Sequence, residues 1–98
     1  MKSVVNFRQD AETDVADAAA WYENQSAGLG GEFLEEILAT CNSIAENPQM
    51  YPILYRDTRR AVIHKFPFGL YYRVENNLVT IVAVMHGSRD PNKWQKRT

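Results

Sequence analysis

The spacing of apolar residues predicts two long helices followed by a sheet. Apolar side chains recur at helical spacing over residues 9–26 and again over residues 33–45, and a Gly-Leu-Gly-Gly stretch at 28–31 separates the two runs. A weak alternation over residues 3–8 predicts a short strand before them. Because a short glycine-rich turn joins the two helices, we expect them to pair antiparallel.

From residue 59 onward the pattern alternates with period two, which is typical of strands with one buried face. The predicted strands cover residues 59–66, 68–75 and 78–86. Asn76 and Asn77 form a plausible two-residue hairpin turn between the last two, since Asn tolerates positive φ. Residues 49–58 are interpreted as a loop, and Asp90-Pro91 as the start of a short terminal helix or turn.

The predicted order is therefore β-α-α-β-β-β. The architecture that fits it is an α+β domain in which a helical hairpin packs on one face of a small antiparallel sheet. A chain of 98 residues is expected to form one domain, residues 1–98.

The hairpin register predicts which strand residues share a face, because directly opposed residues point the same way. With the turn at Asn76-Asn77, the face beneath the helices collects Phe68, Leu70, Tyr72, Val74, Val79, Ile81, Ala83 and Met85. The opposite face is predicted to hold Tyr71, Arg73, Thr80, Val82, Val84 and His86.

Composition also predicts the compartment of the protein. The chain is 45% hydrophobic and 23% charged, as in ordinary globular proteins. Its apolar runs fall short of the roughly 18 residues that a membrane span needs, and its N-terminus lacks a signal-peptide pattern. The single cysteine, Cys41, has no partner for an internal disulfide. We expect a cytoplasmic protein with no membrane contact.

The net charge of −1 hides a strong asymmetry. Residues 1–54 carry nine acidic and two basic side chains, a net −7, and residues 55–98 carry nine basic and three acidic ones, a net +6. A basic half of this kind suggests an acidic partner, although two acidic helices followed by a basic sheet edge would give the same totals.

Motif inspection predicts neither a cofactor nor a metal. The Gly-Leu-Gly-Gly stretch lacks the Lys-Ser/Thr of a phosphate-binding loop and lies between helices. His64 and His86 are the only histidines, and no other ligand lies at zinc-site spacing. Cys41 falls on the apolar stripe of the second helix.

Basic and aromatic residues alternate in the C-terminal half, as at surfaces that bind RNA or an acidic protein. The candidates for target or RNA binding are Arg59, Arg60, Lys65, Tyr71, Arg73, Lys93 and Trp94. If the protein is a nuclease, His86 is the candidate acid or base and Arg89 the candidate phosphate ligand. The structural alternative is that His86 ends a strand and Trp94 covers Val82 and Val84.

Several short motifs together resemble a known family. They are W-Y-E at 21–23, G-L-G at 28–30 with Phe33, N-P at 47–48, R-R at 59–60, F-P-F at 66–68, Y-Y-R-V at 71–74 and H-G-S-R-D-P-N-K-W at 86–94. Their order and spacing resemble the RelE/ParE superfamily of bacterial toxin–antitoxin toxins, and most closely its ParE-like plasmid stabilisation branch.

The resemblance implies a toxin that a cognate antitoxin neutralises, typically with a segment that folds on binding. RelE-like members cleave messenger RNA on the ribosome. ParE-like members share the fold and are associated with poisoning DNA gyrase.

Matching residues favour the ParE-like branch. RNA-cleaving members tend to have an arginine where this chain has Gly69. Arg89 matches the arginine that follows the last strand in those members, and Trp94 lies near the position where they have an aromatic or His-Tyr end. Arg59-Arg60 is a loose match to the lysine pair that precedes the sheet in several nucleases. The resemblance thus implies a toxin with gyrase as its target. The alternatives are a ribosome-dependent endoribonuclease that uses His86 and Arg89 with Arg73 or Lys65, and a non-toxic homologue that only binds antitoxin.

Overall fold

The computed structural model describes residues 2–87 and 91–98 and confirms the predicted helical hairpin on a mainly antiparallel sheet. The helices are α1 (Gln9–Gln25), α2 (Leu29–Glu46) and α3 (Pro91–Gln95). The strands are β1 (Val4–Phe7), β2 (Ile53–Tyr55), β3 (Thr58–Val62), β4 (Phe68–Glu75) and β5 (Leu78–His86). Within the two described ranges, no helix is long and apolar enough to cross a membrane.

The strands lie in the order β1-β5-β4-β3-β2. The three pairs that follow one another in sequence, β2–β3, β3–β4 and β4–β5, are antiparallel. Strand β1 runs parallel to β5. This direction is possible because the two strands are far apart in sequence and are not joined by a short turn. Since β1 ends at Phe7, opposite Ile81, the first part of β5 is the only part that has a strand on that side within residues 2–87 and 91–98.

Strand β2 lies within residues 49–58, which the sequence pattern interprets as a loop. It is three residues long, follows Pro52 and pairs irregularly with β3 at the sheet edge. A strand of this kind forms because it can pair with β3. Its three residues are too few to show the alternation of polar and apolar side chains by which a strand is predicted.

A carboxylate and two glycines set the turn between α1 and α2. Gly28 adopts φ 89°, a conformation that residues with a side chain rarely take. Glu23 accepts hydrogen bonds from the backbone N–H groups of Gly28 (2.9 Å) and Gly30 (3.0 Å), so that an acidic side chain caps the start of α2. At Gly30 the helices are so close that an added Cβ would lie 2.6 Å from the carbonyl oxygen of Ala19.

The main core lies between the helical hairpin and the sheet. Phe33 of α2 is fully buried, and its ring centroid lies 5.4 Å from that of Tyr22 and 5.3 Å from that of Phe66. Tyr72 and Ile81 are also fully buried beneath the helices, as the hairpin register predicts. The predicted register also holds for Val74 opposite Val79 and Glu75 opposite Leu78.

A β-bulge in β5 overturns the predicted face assignment of the last four residues of this strand. Tyr72 lies opposite Ile81, but Tyr71 lies opposite Ala83, so Val82 is an extra residue in β5. Beyond the bulge the inward and outward positions are exchanged, because strand side chains alternate. Ala83 and Met85, predicted to lie beneath the helices, pack on the opposite face, which is called the outer face below. Val84 packs in the main core instead.

Candidate functional site

Helix α3 lies against the outer face and places Trp94 there. The indole is 6% exposed and stacks on the ring of Tyr71, with centroids 4.5 Å apart and planes at 21°. Tyr55 of β2 meets the same indole edge-on at 6.1 Å. These three rings form the aromatic cluster of the outer face, with Val82, Ala83 and Met85 packed beside them. Trp94 thus covers Val82 as the structural alternative expects, whereas Val84 lies on the other face.

Two arginines flank the aromatic cluster on the same face. Arg60 lies opposite Tyr71, and Arg73 follows Tyr71 by two residues along β4. The stem of Arg60 crosses Gly69: a Cβ built on this glycine would lie 3.0 Å from Cγ of Arg60. Neither arginine forms a salt bridge to a described residue. The outer face therefore presents positive charge beside stacked rings.

The other predicted binding residues lie elsewhere. Arg59 points to the helical side and donates hydrogen bonds to the carbonyl oxygens of Gln49 (3.0 Å) and Tyr51 (2.6 Å), which holds the loop before β2. Lys65 is exposed at φ 70° in the turn between β3 and β4. Lys93 is exposed on α3. The predicted set is therefore spread over three regions of the surface.

His86 ends β5 on the helical side of the sheet. It lies opposite Phe68, and the two rings meet edge-on at 5.6 Å. The bulge at Val82 puts it there, away from Tyr71 and Arg73, with which the sequence pattern grouped it. The other predicted catalytic residue, Arg89, lies outside the described residues.

A groove of about 930 Å³ runs between α1, the end of β5 and α3. Its floor includes Phe68 and Val84, and its walls include His86, Lys93 and the indole of Trp21, which is 59% exposed. Sequence reasoning missed this groove. Its signal was the helical spacing of acidic and aromatic side chains along one face of α1, at residues 14, 17 and 21.

An ion network closes one end of the groove. Arg97 donates to Asp14 at 2.6 Å, and its Nε lies 3.4 Å from a carboxylate oxygen of Asp10. Asp10 also pairs with Arg8 at 3.3 Å, and Arg8 donates to the backbone carbonyl of Arg97 at 2.6 Å. The hydrogen bond from Arg97 to Asp14 raises the pKa of this guanidinium further above its ordinary value. The network fixes the C-terminal residues to the start of α1.

Among residues 2–87 and 91–98, no three His, Cys, Asp or Glu side chains come together as a metal ligand set. Burial raises the pKa of the Cys41 thiol to about 11, so this cysteine is a poor nucleophile at neutral pH.

Comparison with known structures supports the fold. The chromosomal ParDE toxin–antitoxin system from P. aeruginosa contains a chain that matches with a TM-score of 0.74 and 13% identity, over 87% of this chain and 96% of the other. A chain of the RelBE2 toxin–antitoxin complex from Mycobacterium tuberculosis matches with a TM-score of 0.66 and 19% identity, over 88% and 99% of the two chains. No curated protein sequence matches significantly.

Sequence comparison identifies the family. The profile of the ParE toxin of type II toxin–antitoxin systems, parDE, matches residues 5–91. This range runs from the first strand through both long helices and the sheet to the start of α3. The chain therefore belongs to the ParE toxin family of type II toxin–antitoxin systems.

Proposed function

We propose that this protein is the toxin of a type II toxin–antitoxin module, that a cognate antitoxin neutralises it, and that its target is DNA gyrase. Family membership across residues 5–91 supports the first two parts. The observation that carries the choice of target is the separation of the candidate acid or base from the candidate RNA-binding residues. His86 lies on the helical side of the sheet, whereas Arg60, Tyr71 and Arg73 lie on the outer face.

The burial of the aromatic rings also argues for a protein that binds its target and does not cleave RNA. Stacking a base requires a free ring face, which RNA-binding proteins present to solvent. Here Tyr71 is 3% exposed and stacks on Trp94, which is itself covered. Gly69 supplies no side chain where the resemblance places an arginine in RNA-cleaving relatives, and the stem of Arg60 fills that space.

Ribosome-dependent cleavage of messenger RNA is the second candidate function. The observation that favours it is the pair of half-exposed arginines, Arg60 and Arg73, without a described carboxylate partner. Two such cations on one face suit a phosphodiester backbone. In this function the pair would bind RNA, and His86 would have to reach the scissile phosphate around the sheet end.

The groove beside α1 is the surface that we assign to the antitoxin. It is large enough for side chains of an extended segment, and it exposes a tryptophan, the residue type most enriched in binding hot spots. Lys93 and His86 along its rim suit acidic side chains of such a segment.

Two assays on the purified chain test the target. We expect inhibition of gyrase supercoiling at sub-stoichiometric to equimolar ratios, and no cleavage of messenger RNA in a translation extract. Cleavage at codon positions, abolished by R60A/R73A, would instead establish the second candidate. Activity in neither assay, together with harmless overexpression, would identify a homologue that only binds antitoxin.

A further inference from the structure

Among the residues that the structure describes, no strand lies beside the second half of β5 on one side. Strand β1 pairs with β5 from Leu78 to Ile81 and then ends. The last contact of this ladder is the hydrogen bond from the N–H of Arg8 to the carbonyl oxygen of Ile81, at 3.0 Å. An open edge of this kind exposes N–H and C=O groups that can pair with a strand of another molecule.

Two side chains take the place of the missing strand. Arg97 donates from its NH1 group to the carbonyl oxygen of Val82 at 3.2 Å, and Asp14 accepts from the N–H of Val84 at 3.0 Å. In a parallel ladder, one residue of the neighbouring strand supplies this donor and this acceptor to the residues on either side of its partner. The pair thus imitates the backbone of one strand residue beside Ala83.

The surrounding contacts hold the pair in this position. Arg97 donates to both oxygens of Asp14, at 2.6 and 3.3 Å, and Arg8 binds the backbone carbonyl of Arg97. Both side chains are mostly buried. An ion pair that served only to join the C-terminal segment to α1 would have no need to face two backbone groups of β5.

We propose that Asp14 and Arg97 form a side-chain plug that closes the open edge of β5 and prevents it from pairing with the same edge of a second copy. The plug supplies hydrogen-bond partners that satisfy β5 and are too short to extend the sheet. This role does not depend on toxicity or on the cellular target, because it concerns the free chain alone.

Three variants separate a plug from an ordinary ion pair. Asp14→Ala removes the acceptor. Asp14→Asn keeps an acceptor oxygen and removes the charge. The exchange D14R/R97D keeps an ion pair but sets a donor against the N–H of Val84 and an acceptor against the carbonyl of Val82. Lys96→Ala, at an exposed neighbouring residue, is the control.

The measurements are amide hydrogen exchange at Val84 by NMR and molecular mass by light scattering over a range of concentrations. We expect monomers with slow exchange for the wild type, Lys96→Ala and Asp14→Asn. In Asp14→Ala and D14R/R97D, exchange at Val84 should be about tenfold faster at concentrations where the chain is monomeric. The mass should rise towards that of a dimer as the concentration increases.

Wild-type exchange and mass in D14R/R97D would overturn the proposal, because the ion pair alone would then suffice. An Asp14→Ala chain that folds and stays monomeric at every concentration would also overturn it. If circular dichroism shows that these two variants do not fold, Asp14→Asn decides: slow exchange at Val84 supports the plug, and tenfold faster exchange contradicts it.

Discussion

Gly30 and Gly31 are neighbours in the first turn of α2, but an added methyl group meets different surroundings at each. At Gly30 it would lie 2.6 Å from a backbone oxygen of α1, which cannot rotate away, and at Gly31 it meets nothing within 4 Å. We expect Gly30→Ala to lower the free energy of unfolding by about 1–3 kcal/mol through overpacking. Gly31→Ala should leave it unchanged or raise it by up to about 1 kcal/mol, as alanine does in helices.

Urea denaturation of the two variants measures this difference. The close approach of α1 and α2 would be disproved if Gly30→Ala were as stable as Gly31→Ala. Both substitutions add the same methyl group, so helix propensity cannot account for a difference between them.

Tyr72 makes stability depend on alkaline pH. Its hydroxyl donates to the carbonyl oxygen of Pro48 at 2.6 Å, and burial raises its pKa to about 12 from an ordinary value of 10.0. The unfolded chain ionises at this residue first as pH rises. Its contribution to stability, on the order of 2 kcal/mol, is therefore complete below pH 10 and lost between pH 10 and 12.

Unfolding free energies from pH 8 to pH 11.5 test this dependence, with Tyr72→Phe as the comparison. The variant should show a shallower decline above pH 10. Part of the decline remains, because burial raises the pKa of Cys41 from 9.0 to about 11, and Cys41→Ala removes that part. Equal slopes for Tyr72→Phe and the wild type would contradict the prediction.

At the scale of elements, α3 contributes one buried side chain to the outer face. It has five residues, too few to be stable alone, and its buried residue is Trp94. Trp94→Ala should destabilise the protein by about 3 kcal/mol, because it opens a cavity against Tyr71 and Met85. Trp94→Phe keeps a ring on Tyr71 and should lose less than half as much. Thermal unfolding of both variants measures this, and an unaffected midpoint in Trp94→Ala would refute it.

The sheet elements show where local pattern is sufficient and where it fails. Strands β4 and β5 and their turn at Asn76 follow from alternation alone, since residues close in sequence pair first. The bulge at Val82 does not, because the pattern of small apolar residues from 81 to 85 fits either face. Its consequence is large: it moves Val84 and His86 to the helical side.

At the scale of the whole molecule, charge is divided between layers. Helices α1 and α2 carry nine acidic side chains and no lysine or arginine. The acidic helical layer is therefore unfavourable for nucleic acid, and the basic side chains of the sheet, its turns and the C-terminal segment are the ones that suit a phosphate contact. The opposite net charges of the two halves of the sequence therefore correspond to an acidic helical layer and to a basic sheet with its C-terminal segment.

The groove is also a property of the whole molecule, because α1, β5 and α3 build it together. We expect Trp21→Ala to weaken antitoxin binding by at least about tenfold, as hot-spot truncations do. Leu38→Ala is the matched control, since Leu38 is 64% exposed on α2 and does not line the groove. Calorimetry with the product of the neighbouring gene gives both affinities. Equal losses would show that the antitoxin does not use the groove.

The candidate site was predictable in composition but not in arrangement. The sequence predicted seven residues for target or RNA binding, and four of them, Arg60, Tyr71, Arg73 and Trp94, lie together on the outer face. It could not show that Trp94 and Tyr71 cover each other, because stacking depends on where α3 returns to the sheet. Nor could it show that Arg59 holds a loop, since adjacent strand residues differ only in the face they take.

The sequence by itself determined the helical hairpin, the antiparallel strands and the family, because these follow from periodicity, turn residues and local motifs. Only the tertiary structure decided the parallel pairing of β1, the bulge at Val82 and the plug formed by Asp14 and Arg97. Asp14 and Arg97 are 83 positions apart in the sequence, and their contact with β5 is possible because β1 ends opposite Ile81. Such long-range contacts leave no period in the sequence, so physical reasoning finds them only once the elements are packed.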